Sequence, residues 1–401
     1  MNDEGDRVET TGAFTQARWA SGQWQREHAQ TLEEWRRSDA SLTVPHITTL
    51  CRAVNNTARQ LSSSPQALGA KLPPTRNCCD DLYFQDYDEA AAYMVQHLTD
   101  RYGRVTQVLE RLFAAGHLPL RLRQMSVLEV GAGPAPSLYA ARDFYADLAV
   151  WAKSSGHKVS FLPVTNMHAL DRGEAWGRLL HSLSEHLIAL RSELPSSSGV
   201  FPFRVEYSNL IGFSVIREHV KAIDFATEVI SAEFDRAGDP IAHGTARRFA
   251  EEDGVGRPSA YDLVFASNLL TTDSSVNEFQ TELLQLASGL TPGGLLVVIG
   301  AAAGNKYARI WSALRTLMRG TKLTEIKGFG EPIAANVNSE WAKVIRRQRQ
   351  DILEELRGID ALPSEVAGLQ ETDGFPTFRA LVWKNQQPAK KRPRRRASFT
   401  E

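Results

Sequence analysis

A chain of 401 residues, 42% hydrophobic and 23% charged, with Gly 28 and Pro 18 near average usage, is long enough for one large domain with additions or two modest ones, and it is not collagen-like, wholly disordered or a short-period solenoid. The net charge of -1 hides a basic tail, because Lys390, Lys391, Arg392, Arg394, Arg395 and Arg396 all fall in the last dozen residues. Without them and Glu401 the chain carries 40 basic against 46 acidic side chains, which excludes the body as a nucleic-acid-binding surface on charge alone.

The first fifteen residues are polar and expected to fray. Residues 16–120 read as an α-helical cap. Gln23 to Arg37 is charged with Trp24 and Trp35 scattered through it. After Pro45, the residues Ile47, Leu50, Val54, Ala58 and Leu61 recur at three- and four-residue steps and predict a helix with one apolar face. Ser62 to Asn77, with Ser-Ser-Ser-Pro and Pro73-Pro74, reads as loop. The helical period returns from Asp88 through Ala91, Met94, Leu98, Tyr102, Val105, Leu109 and Phe113, and stops at Gly116.

At Met125 the pattern changes. Val127-Leu128-Glu129-Val130 predicts a strand that ends in the turn Gly131-Ala132-Gly133-Pro134, followed by a helix from about Pro136 to Lys153. Val159 to Val164 reads as a second strand, ending at Val164-Thr165-Asn166, and Leu170 to Leu194 as a helix. Further strands are expected over Phe203 to Tyr207, Tyr261 to Ser267, Leu295 to Gly300 and Thr377 to Trp383, with a helix over Val276 to Leu290. This alternation predicts an α/β fold, a doubly wound and mostly parallel sheet, spanning 121–386. A helical insertion at about 216–259 ends in a Gly254-Val255-Gly256-Arg257-Pro258 loop, and 387–401 is a disordered basic tail.

The chemistry is expected at the glycine turn. Glycines at the carboxyl edge of a parallel sheet let a ligand approach the backbone, and the helix that follows presents unpaired N–H groups to it. A dinucleotide fingerprint wants a third glycine where this chain has Pro136, which disfavours NAD or FAD and with them a nicotinamide-dependent oxidoreductase. No Gly-Lys-Ser/Thr ending is present, so a nucleoside-triphosphate loop is excluded.

Val127 to Pro134 resembles the first motif of the class I S-adenosylmethionine-dependent methyltransferases, an acidic residue followed by Gly-x-Gly. Tyr261-Asp262-Leu263-Val264-Phe265-Ala266-Ser267-Asn268 resembles their fourth strand, and Leu290-Thr291-Pro292-Gly293-Gly294-Leu295-Leu296-Val297-Val298 the turn into their fifth. The resemblance implies a Rossmann-like methyltransferase fold, S-adenosylmethionine as cofactor, and methyl transfer to an acceptor that is a small molecule, RNA or protein. It implies Glu129 near the ligand amino group or a bridging water, and Gly131, Ala132, Gly133 and Pro134 beneath the methionine and ribose portions. An acidic residue ending the second strand would bind the ribose hydroxyls; Asn166 stands there in this reading, with Asp171 as its rival. Asn209 or Asp224 would meet adenine after the third strand, and Asn268 would face the methyl group and the acceptor. Methyl transfer needs alignment more than a fixed catalytic set, so no catalytic residue is assigned. Asn268-Leu269-Leu270-Thr271-Thr272 also lacks the Asn/Asp-Pro-Pro-aromatic arrangement of amino-group methylation.

A second class is a non-catalytic binding protein on the same fold. Tyr93 to Leu112, Gly300-Ala301-Ala302-Ala303-Gly304-Asn305 and Ala308-Arg309-Ile310 are faintly similar to the methyltransferase-like proteins of the mitochondrial small ribosomal subunit, without the cysteine cluster of that subgroup. An RNA or ribosome role would rest on the tail residues Lys390, Lys391, Arg392, Arg394, Arg395 and Arg396, as nucleic-acid contacts or as a nuclear-import signal. Arg395-Arg396-Ala397-Ser398 has the form of a basic-directed phosphorylation site.

His157, His168, His181 and His186 are spread over separate elements, and no metal site is expected. Trp19, Trp24 and Trp35 read as packing residues. Cys51, Cys78 and Cys79 cannot form a disulfide framework. No apolar run is long enough to span a membrane, and the acidic opening Met1-Asn2-Asp3-Glu4 is unlike a leader. The expectation is a cytoplasmic protein, or a nuclear one in a eukaryote, with no membrane partner.

Overall fold

The structure is a computed structural model that describes residues 22–76, 84–120, 125–157, 164–171, 173–192, 206–209, 261–270, 272–302, 305–334, 340–357 and 377–386. The polar N-terminus, the insertion at 216–259, Asp224 and the basic tail lie outside them.

Four helices precede the sheet: α1 (Gly22–Arg36), α2 (Thr43–Leu61), α3 (Pro65–Arg76) and α4 (Tyr87–Ala114). In α2 the expected apolar face forms, and Ile47, Leu50, Val54 and Ala58 are all buried. The loop expected after it is instead the helix α3. Ser64 caps it by accepting from the Ala67 amide at 3.1 Å, and Pro65 takes the first helical position, where no N–H is needed. Pro73 and Pro74 remove donors near its end. There α4 steps in, with Gln96 Nε2 donating to the Leu72 carbonyl at 2.7 Å and His97 Nε2 lying 3.0 Å from that of Thr75.

The sheet has seven strands in the order β3-β2-β1-β4-β5-β7-β6. These are β1 (Met125–Val130), β2 (Val164–Asp171), β3 (Glu206–Asn209), β4 (Tyr261–Ser267), β5 (Leu290–Ala301), β6 (Leu323–Glu325) and β7 (Phe378–Asn385). All neighbours are parallel except β7, which runs antiparallel to β5 and β6. The doubly wound, mostly parallel sheet is therefore present. Order within it reverses direction at β1, which sends β2 and β3 one way and β4 onward the other, and the glycine turn sits at this switch point.

Two boundaries differ from the sequence expectation in ways that matter for the site. The second strand is Val164–Asp171, because Val127 to Val130 of β1 pair with Met167 to Leu170. The apolar run that was expected to be the strand precedes it, and the helix expected from Leu170 starts later. The other shift is at β5, which begins at Leu290 and bulges against Tyr261–Leu263 of β4.

Alternate residues of each central strand face opposite layers, as the pleat requires. Val127, Met167, Phe265, Val297 and Phe378 pack under α4, α5 (Pro136–Ser154) and α6 (Ala175–Ser192). Leu128, Val264, Val298 and Leu381 pack under α7 (Asp273–Glu278), α8 (Gln280–Ser288) and α9 (Asn305–Met318).

Outside the first of these layers lie α1, α2 and α10 (Glu340–Arg357), tied by buried polar bonds. Gln25 bonds both backbone groups of Leu118, at 2.8 and 3.1 Å. Arg36 and Thr43 each reach Asp147 on α5 at 2.8 Å. Arg191 of α6, held on Asp143 of α5 by two bonds of 2.7 and 2.8 Å, donates to Thr49 of α2 at 3.2 Å, and Gln348 of α10 meets Asn55 of α2 at 3.0 Å. Of the N-terminal helices, α1 and α2 thus form an outer layer on one face, while the start of α4 reaches the carboxyl edge through Tyr93. Among the described residues, no helix is long and apolar enough to cross a membrane.

Candidate functional site

The turn after β1 takes a left-handed backbone at every second residue. Gly131, Gly133 and Ala135 have φ of 64°, 52° and 56°. The Gly131 and Ala132 amides both donate to the Leu170 carbonyl, at 2.8 and 3.1 Å, which binds the turn to the end of β2. Any Cβ on Gly131 would lie 2.6 Å from Leu269 Cδ1. A larger residue there would therefore first disturb the packing of β1 against the segment after β4. At the far side of the turn, Pro136 opens α5 at a position where its missing N–H costs nothing.

Glu129, at the end of β1, is 1% exposed. Its carboxyl group faces the start of α5, where it accepts from the Ser137 amide at 2.9 Å, the Ser137 hydroxyl and the Leu138 amide at 3.3 Å. Burial pushes its pKa up from 4.5 to about 8, although these donors favour the ionised form. At neutral pH the folded protein holds a proton here that the unfolded chain has released, so this residue's contribution to stability falls as pH rises from about 4.5 to about 8. Thermal melts at steps from pH 5 to 8 are expected to show that decline in the wild type and a flatter profile in Glu129→Gln. Parallel profiles for the two proteins would refute the assignment.

Asp171 ends β2 next to this turn. Its Oδ2 accepts from the Gly133 amide at 2.7 Å and its Oδ1 from the Gly173 amide at 3.0 Å, so two backbone donors orient the carboxylate. Asn209, the last residue of β3, pairs in register with Asp171. Asn268 follows β4 in a left-handed conformation, φ 54°. Its amide donates to the Ile299 carbonyl at 2.8 Å and its Nδ2 to Ser267 Oγ at 3.2 Å.

The structure thus gathers Gly131, Ala132, Gly133, Pro134, Asp171, Asn209 and Asn268 along one edge of four adjacent strands. It leaves Asn166 out. That residue pairs with Ser126 near the start of β1, five residues before Asp171 and so about 16 Å from it at the rise of a strand. The acid that seemed missing from the end of the second strand is Asp171 itself, once the strand is read to its true end.

Aromatic side chains from outside the expected set complete this edge. The nearest atoms to a Cβ built on Gly133 are Tyr93 Cε1 at 3.6 Å and Trp176 Cζ2 at 3.7 Å. Phe84 joins them, its ring centre 4.8 Å from Tyr93 and 4.9 Å from Trp176. Its carbonyl accepts from the Ala175 amide at 3.0 Å, which fastens the segment before α4 to the start of α6. Arg101, two turns along α4 from Tyr93, bonds the Tyr93 hydroxyl and lies over its ring, 5.0 Å from the centre. Neither Tyr93, which falls between the periodic apolar positions Ala91 and Met94, nor Trp176 carries a signal in the sequence that marks it as part of a site.

Trp176 is fully buried, yet its Nε1–H has no acceptor among the described residues. Buried indole donors are ordinarily paired, so an unsatisfied one beside a glycine turn fits a ligand that brings an acceptor. Among the described residues, no group of three His, Cys, Asp or Glu side chains could hold a metal ion.

No family model and no curated protein matches the chain. Among solved structures it is similar to the YcgJ protein of Bacillus subtilis, at 10% identity and a TM-score of 0.30, covering 72% of this chain and 98% of that one. It is similar to geranyl diphosphate C-methyltransferase of Streptomyces coelicolor, solved with Mg2+, geranyl diphosphate and S-adenosylhomocysteine, at 10% identity and a TM-score of 0.29, covering 78% and 87%. A third is phosphoethanolamine N-methyltransferase 2 of Haemonchus contortus, solved with phosphomonomethylethanolamine and S-adenosylhomocysteine, at 11% identity and a TM-score of 0.31, covering 76% of this chain and 61% of that one. The fold itself rests on the strand order and directions described above.

Proposed function

We propose that this protein binds S-adenosylmethionine along the edge formed by Gly131–Pro134, Asp171 and Asn209, and transfers its methyl group to an acceptor held beyond Asn268. The observation that carries the reading is Asp171, a carboxylate at the end of β2, oriented by the Gly133 and Gly173 amides beside the glycine turn. A carboxylate is the acceptor that two neighbouring ribose hydroxyls call for.

The cofactor, when bound, supplies an electrophilic methyl carbon on a sulfonium. What the chain contributes is placement. Gly131 and Gly133 allow backbone-close approach, Asp171 accepts from the ribose, and Trp176 offers its unpaired indole N–H. The aromatic faces of Phe84 and Tyr93 exclude water from this end of the edge. Asn268, set just past β4, borders the place where the acceptor must line up with the methyl carbon and the sulfur, and such alignment supplies most of what this reaction needs from a protein.

Calorimetric titration with S-adenosylmethionine and S-adenosylhomocysteine tests the reading, with micromolar binding of both expected. A folded sample that binds neither would favour a non-catalytic partner protein on this fold.

Part of the same proposal is contact with nucleic acid through Lys390, Lys391, Arg392, Arg394, Arg395 and Arg396. Six cations in one short run release counterions on binding phosphates, which makes affinity steeply salt-dependent. Removing residues 389–401 is expected to flatten the dependence of RNA affinity on salt; an unchanged slope would rule the tail out.

A further inference from the structure

Besides Trp176, two further donors without a partner among the described residues lie on the other face of the sheet, where β5 and β7 meet. Gly300, near the end of β5, is opposite Arg379 of β7 in the register. Residues paired in register share a face, and here that face is the one covered by α9. No hydrogen bond or ion pair with the described residues engages the Arg379 guanidinium, and its Nε is buried without a partner. With no carboxylate among the described residues beside it, this guanidinium can take an anion.

Trp311, on α9, is 2% exposed, and among the described residues its Nε1–H also lacks an acceptor. Helical side chains lean toward the N-terminus, and this one leans back onto Gly300. A Cβ there would lie 3.0 Å from Trp311 Cζ2 and 3.0 Å from Tyr307 Cε1, so the glycine is what admits the two rings. The first turn of α9 begins four residues after Ala301, and its amides point the positive end of the helix at the same edge.

We propose that Arg379, Trp311 and the N-terminus of α9 form an anion subsite that holds a phosphate group of a nucleotide methyl acceptor. Every one of these groups is a donor, and among them only the guanidinium carries charge, which suits a phosphate oxygen better than a cation or an apolar group. Position supports the nucleotide. Arg379 stands two strands beyond Asn268, about 10 Å at the spacing of a sheet, a reach that places a base at the methyl group and its phosphate at the arginine. Tyr307, half-buried on α9, stands over Gly300 of the intervening strand β5 as an aromatic surface. The acceptor role rests on the methyl-transfer reading, but the anion site does not.

The test is a fluorine NMR titration of the full chain labelled with 5-fluorotryptophan, in which Trp311→Phe identifies the Trp311 resonance. Inorganic phosphate, acetate and a nucleoside monophosphate are added in turn, and S-adenosylmethionine is titrated in parallel. Phosphate is expected to shift the Trp311 resonance saturably, and the monophosphate at concentrations at least tenfold lower. In Arg379→Gln and Arg379→Lys the phosphate midpoint should rise at least tenfold and by a smaller factor, respectively. A Trp311 resonance that ignores all three anions overturns the site, and equal midpoints for acetate and phosphate overturn its assignment to phosphate. A phosphate response without cofactor binding would sink the methyl-transfer reading while leaving the anion site standing.

Discussion

Replacing Asp147 with alanine is expected to lower the unfolding free energy by about 3–5 kcal/mol, the usual consequence of removing one partner from a buried ion pair. Asp147 is 1% exposed. It accepts from Arg36 of α1 at 2.8 Å and from Thr43 of α2 at 2.8 Å. Burial alone would raise its pKa, but the charges of His46 and Arg36 outweigh that and hold it below its ordinary value. Because the folded carboxyl titrates below the unfolded one, its contribution is present above the unfolded pKa of 3.8 and is lost as pH falls through the lower folded value.

The truncation leaves the Arg36 guanidinium buried beside Glu110 alone, a bond of 3.1 Å to a side chain that is 43% exposed. Urea denaturation followed by tryptophan fluorescence measures the effect, since Trp24 of α1 and Trp151 of α5 meet across the same seam, tilted at 54° with 5.8 Å between ring centres. Asp147→Asn keeps the shape and should lose less. A change below about 1 kcal/mol in the alanine variant, within the range of an exposed pair, would show that α1 and α2 do not depend on this anchor.

The second large effect is expected at the ligand edge. Asp171→Asn keeps the size of the side chain but replaces an acceptor oxygen with a donor nitrogen and removes the charge. Hydrogen bonds to a charged group contribute about 1.5–3 kcal/mol each, so losing one of them should lower affinity for S-adenosylmethionine and S-adenosylhomocysteine about 10- to 150-fold. Asn166→Ala, at the opposite end of β2, should leave it within about twofold of wild type, an allowance typical of a change that touches no ligand group. Calorimetry on both variants decides between them. Loss of binding in Asn166→Ala with retention in Asp171→Asn would reverse the assignment of the ribose site.

Much of the fold was legible because its signals are local. Val127 to Val130 followed by Gly131-Ala132-Gly133-Pro134 announces a strand and a tight turn by residue type alone, and the periodic apolar positions of α2 and α4 require only a helix and a core. The errors fell where a neighbour in space overrode the local signal. Ser62 to Asn77 reads as loop because of its prolines, yet α3 forms since Gln96 and His97 of α4 reach the carbonyls near its end. The second strand was misplaced because an apolar run and a strand of mixed character adjoin, and only pairing with β1 decides which of them enters the sheet.

The same division holds for the site. By itself the sequence determined the chemistry-bearing turn, the strands that follow it in order, and the kind of sheet they build, because backbone freedom at glycine and the alternation of apolar residues are properties of short segments. Tertiary structure alone decided that Asp171 rather than Asn166 stands at the turn, that Glu129 serves the start of α5, and that Tyr93, Phe84 and Trp176 close over Gly133. Those outcomes depend on strand register and on helices folding back from far along the chain. A shift of a few residues in pairing moves a side chain from one end of a sheet to the other.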